Sequence, residues 1–113
     1  MNQYQRSMQV WSILVLSAIN QKLISYETIS KLIGVPTPGI GRFLFPILNF
    51  CQQNRLPPLT SVVISHVTGR PGEGFPEELN IVESQSSVFV YNWLSREAPD
   101  AEQLQASNER NTR

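Results

Sequence analysis

Apolar residues recur at helical spacing over residues 4–21. Tyr4, Met8, Trp11 and Val15 form one stripe, with Leu14 and Ile19 beside it, and this pattern predicts an amphipathic first helix. Leu23 to Tyr26 reads as a short apolar link or strand. The next helix is signalled at both ends. Ser25 is placed to cap it, Glu27 sits where the helix dipole favours an acid, and Gly34 can close it. Its inward residues are expected to be Ile29, Leu32 and Ile33. Pro36 pushes Val35 away from helical angles. Thr37 can cap a third helix, with Pro38 at its first position. That helix carries Ile40, Leu44, Ile47, Leu48 and Cys51 on one stripe. Pro46 lies inside it, so a kink or a break into two short helices is expected. Two helices joined by a Gly- and Pro-containing turn form a helix-turn-helix.

Leu56-Pro57-Pro58 ends the helical half. Thr60 to Val67 is β-branched and reads as a strand. Thr68 to Gly74 reads as a hairpin tip, with Phe75 beginning the return. Helix-turn-helix followed by a strand and a hairpin is the order of a winged helix. The expected fold class is therefore α+β, a small winged helix over residues 1–96 with an N-terminal helix. Within it, residues 84–94 fit a helix or a strand, and a helix or turn entering Val88–Trp93 is favoured. Residues 97–113 lack apolar periodicity and read as a disordered polar tail.

Composition changes this picture in a few places. The 113 residues can bury one modest core. The run from Val10 to Ile19 has the look of a signal-peptide core, but it is interrupted by Ser12, Ser17 and Ala18. It is also far shorter than the roughly 20 residues of a bilayer span, so no membrane partner is expected. One Cys excludes an intramolecular disulfide and fits a reducing, cytoplasmic setting. Cys51 and His66 alone cannot close a zinc site, and no metal or cofactor is expected.

The formal net charge is zero, but it is divided along the chain. Residues 1–70 hold six bases (Arg6, Lys22, Lys31, Arg42, Arg55 and Arg70) against Glu27 alone, net +5. Residues 71–113 hold three bases against eight acids, net −5. Arg42 falls near the start of the second helix-turn-helix helix and Arg70 on the expected wing, where phosphate contacts belong in such a fold. The acidic half can compete for that basic face or serve solubility.

From Ile24 to Phe75 the chain resembles the DNA-binding domain of the alkylguanine-DNA alkyltransferases and the alkyltransferase-like proteins. Ser25-Tyr26-Glu27-Thr28-Ile29-Ser30 is similar to the family's T-Y-G-E-I-A helix start. Gly39-Ile40-Gly41-Arg42-Phe43-Leu44 is similar to its A-V-G-R-A-L recognition-helix core. Asn54-Arg55-Leu56-Pro57 resembles its N-P-x-P, and Gly72-Glu73-Gly74-Phe75 its glycine-rich wing end. The resemblance implies a winged helix whose small residues Gly39 and Gly41 approach DNA, and whose Tyr26 contacts a phosphate. The plainer alternatives are close helix packing at the glycines and a half-buried Tyr26 at a helix start. The family's reactive P-C-H-R would fall near Ser61-Val62-Val63-Ile64, with no nucleophile, and Pro38 stands where the family has its intercalating arginine. Alkyl transfer is thus not expected.

Other chemistry is thin. Cys51 lies on the apolar stripe, as a small buried hydrophobe would, and His66 is expected to face solvent. The glycines of 69–74 lack Walker spacing, and Glu73, Glu77 and Glu78 read as a solvated cluster. The expectation is a non-enzymatic DNA-binding protein, a regulator or DNA-recognition subunit. Double-stranded DNA would be held by Tyr26, Thr37, Gly39, Gly41, Arg42, Arg55 and Arg70. The alternative is a protein-interaction module, such as an inhibitor, immunity-type protein or complex subunit. It would act through exposed aromatics or the acidic C-terminal half.

Overall fold

The computed structural model describes residues 1–72 and 74–110. Helix α1 spans Gln3–Ile19, strand β1 Ile24–Ser25, α2 Tyr26–Ile33, α3 Gly41–Gln53, strand β2 Val63–Ile64, α4 Ile81–Val90 and α5 Ala101–Arg110. Short 3-10 turns cover Thr37–Gly39, Leu59–Val62 and Trp93–Ser95.

Asn2 starts α1 through a reciprocal capping box with Gln5. The buried stripe of α1 is Ser7, Val10, Trp11, Leu14 and Ala18. Met8 is exposed, so the expected inward face was placed about one residue away from the true one. Ser25 caps α2, its Oγ accepting from Thr28 N–H at 3.1 Å, and Gly34 ends it at φ 72°. Ile29 and Ile33 face the core, whereas Leu32 is exposed.

Thr37 does not cap α3. It begins a 3-10 turn, and Ile40 occupies the cap position with no side-chain acceptor. Pro46 does not break α3 either. A proline there frees the carbonyl of the residue four back. That carbonyl, Arg42 O, accepts from the Gln3 side chain at 3.1 Å. The neighbouring Phe43 O accepts from Ser7 Oγ at 2.8 Å. Polar side chains of α1 thus hold the proline-bearing turn in place.

The winged-helix expectation is overturned. Helix makes up 62% and strand 4% of the described residues, which form no hairpin wing, so the fold is not an α+β winged helix. The β-branched run from Thr60 is buried by helices instead of by a sheet. Leu59–Val62 is a 3-10 turn packed against α1, α3 and α4. Only Val63–Ile64 is extended, and it pairs in parallel with Ile24–Ser25. The expected hairpin closes on itself as a tight loop: Ser65 N–H donates to Arg70 O and Gly69 N–H to Ser65 O, both at 2.8 Å. Gly69, at φ 69°, supplies the left-handed residue this loop needs.

Residues 81–90 resolve as helix, capped by Asn80. The disordered tail is likewise corrected up to residue 110, residues 111–113 lying outside the described residues. Asp100 and Gln103 cap each other, with Gln103 N–H to Asp100 Oδ1 at 2.8 Å and Asp100 N–H to Gln103 Oε1 at 2.9 Å. The α5 helix then packs on α1 and α3 with Leu104 fully buried. One core results, built from Val10, Leu14, Ile29, Ile40, Ile47, Leu59, Val62, Val63, Val88 and Leu104. No helix among the described residues is long and apolar enough to cross a membrane.

Candidate functional site

The two-strand ladder fixes where Tyr26 stands. It follows β1 directly, and its Oη accepts from Gly72 N–H at 3.1 Å. Burial pushes its phenol above the usual value, against the opposing pull of that backbone bond. The segment around Gly72 and Gly74 lies hard against α2 and α3. A Cβ on Gly72 would overlap the Tyr26 hydroxyl, and one on Gly74 would come within 2.7 Å of the Phe45 ring. A side chain at either position would force the Tyr26 or Phe45 ring to shift.

Between this segment and α3 opens a cleft of about 330 Å³. Tyr26, Thr37 and Gly41 line it, with Phe45, Leu48 and Phe75 among the apolar walls. No acid lines it among the described residues. A Cβ on Gly41 would meet nothing within 4 Å, so α3 opens here with neither a capping side chain nor a covering one. Arg42 is exposed immediately after Gly41, and its guanidinium lies 5.2 Å from the Phe43 ring centre. Arg70 is exposed immediately before the lining residue Pro71.

Three of the seven expected residues, Tyr26, Thr37 and Gly41, line the cleft, and Gly39, Arg42 and Arg70 each adjoin a lining residue in the chain. Gly39 has a packing role: its Cβ would sit 3.2 Å from Val35 Cγ1. Arg55 lies beyond the other end of α3, in a separate depression that Glu78 and Glu83 also line. The rise of α3 puts it on the order of 20 Å from Gly41. Sequence reasoning missed Phe45 and Phe75. Phe45 stands one turn after Gly41, and that spacing was the available signal.

Ser61, Val62 and Val63, where the alkyltransferase family would carry its reactive strand, are all buried. Cys51 is buried as well, and desolvation pushes its thiol up to about 12 from an ordinary 9.0. The native thiol should therefore resist a thiol-specific reagent at neutral pH and react only on unfolding. The raised value also sets a sign. The folded state keeps its proton while the unfolded thiol loses it, so Cys51 contributes stability below about pH 9 that is lost as pH rises towards 12. His66, Glu77 and Glu78 are exposed, and Glu73 lies outside the described residues. Among the described residues no group of three or more His, Cys, Asp or Glu could hold a metal ion.

No protein-family model, curated protein or solved structure matches the chain.

Proposed function

We propose that the protein binds duplex DNA without catalysing a reaction, with the strand backbone crossing the N-terminal end of α3. One observation carries this reading: Tyr26, Thr37 and Gly41 line one cleft, with Arg42 following Gly41 and Arg70 preceding the lining Pro71. An uncapped helix start presents N–H groups to a phosphate, and a flanking arginine adds a charge-assisted contact. The burial of Cys51 supports a non-enzymatic role.

Few phosphates are neutralised, so binding is modest and salt-sensitive. A titration of labelled duplex at two salt concentrations tests the reading. Arg42→Ala and Arg70→Ala should each weaken binding and reduce the salt slope by about one unit. Arg55→Ala, outside the cleft, should leave it unchanged. Absence of binding at low salt, or an Arg42→Ala slope equal to the parent's, defeats the proposal. A second reading, a protein-interaction module, draws support from Leu16 and Leu94. They are 63% and 76% exposed and line one groove separate from that cleft.

A further inference from the structure

That groove, of about 360 Å³, runs between the C-terminal half of α1 and the Trp93–Ser95 turn. Trp11, Val15, Leu16, Ile19, Trp93 and Leu94 give it an apolar lining. One charged residue, Arg96, also lines it. Its guanidinium is fixed 5.3 Å from the Phe50 ring centre. Its Nε is buried without a hydrogen-bond partner, and the side chain makes no ion pair among the described residues. Covering such a groove strands a cation unless the cover brings an acid. The occupant this groove fits is therefore an apolar ridge carrying a carboxylate.

The chain itself displays such a ridge. On α4, Val82 and Val90 are 70% and 81% exposed, and Ser86 lies between them. Glu83 is exposed, and its carboxylate has no partner among the described residues. At 3.6 residues per turn, Val82, Glu83, Ser86 and Val90 fall within an arc of about 100°. Unpaired acid and exposed valines thus share one face of α4. Unpaired base and exposed leucines share the groove.

We infer that the protein forms a two-fold dimer in which α4 of each copy lies in the groove of the other, Glu83 against Arg96. A two-fold interface requires a self-complementary surface. Here α4 ends three residues before Trp93, so each copy carries both ridge and groove close together and can offer one while receiving the other. A helix laid along a groove on α1 uses a recurrent recognition mode.

The test is sedimentation velocity on the full chain across the micromolar range. The parent should dimerise. Arg96→Glu places two acids together in each seat, and Glu83→Arg two bases, so each variant alone should weaken the dimer at least about tenfold. An equimolar mixture of the two re-pairs both seats and should dimerise as the parent does. Val90→Asp, on the exposed face of α4, should also give monomers, and it keeps the test decisive if Arg96→Glu does not fold. A parent that stays monomeric at the highest concentration overturns the inference. So does a Glu83→Arg or Val90→Asp variant that dimerises like the parent, or a mixture of folded variants that remains monomeric.

Discussion

Removing residues 97–113 is expected to abolish cooperative unfolding. Leu104 is fully buried against α1 and α3, and Pro99 is buried with it. Polar side chains clamp the same seam. Gln53 Nε2 donates to Ser107 O at 2.8 Å, and Asn49 Nδ2 to Asn108 Oδ1 at 3.1 Å. The Asn108 amide reaches Tyr4 Oη at 3.4 Å. Deleting α5 exposes its own buried residues and the α1 and α3 faces beneath. A buried leucine alone is worth about 1.5–3 kcal/mol, and the uncovered faces add to it, against a typical total stability of about 5–15 kcal/mol. The point variant Leu104→Ala should cost about 2–5 kcal/mol. Thermal unfolding by circular dichroism reads both. A truncated chain that melts at the parent midpoint would show that the tail contributes nothing, as a disordered segment would.

The same helix shows where the sequence was legible. Its apolar signal is a single large residue, Leu104, helped by Ala101 and by Ser107, which is small enough to be buried. A periodicity argument weighs hydrophobic side chains and so passes over a stripe of small ones. The helix α1 was readable from its wide apolar stripe and α2 from its caps at Ser25 and Gly34. The wing was not, because β-branched residues fit any tightly packed surface. Thr60, Val62 and Val63 found theirs under helices, and the loop at Ser65–Arg70 satisfied the backbone groups a return strand would have used. In the cleft, Tyr26, Thr37 and Gly41 were nameable from local motifs. Phe45 and Phe75 both line it because the segment carrying Gly72 and Gly74 lies close against Tyr26 and Phe45, and no local pattern encodes that approach.

Replacing Trp93 with alanine is expected to cost about 3–5 kcal/mol, the range for removing a large buried aromatic. Trp93 is 3% exposed. Its ring meets Trp11 edge-on at 5.7 Å and Tyr91 at 4.6 Å, and Trp11 meets Phe50 at 5.7 Å. Its indole N–H donates to Val88 O at 2.9 Å, tying the end of α4 to the turn that follows. At this size the loss should lower the melting midpoint by roughly 10–20 °C. Trp93→Phe separates the two contributions. It keeps an aromatic ring against Trp11 but leaves the Val88 carbonyl without its donor, at a cost of about 1–3 kcal/mol. If both variants lose the same amount, the hydrogen bond dominates; if alanine loses far more, the ring stack does. The stack is the stronger expectation, since the ring fills the space between α1 and the turn after α4. Because that ring is also the floor of the groove beside Arg96, Trp93→Phe should fold with the groove intact and still dimerise.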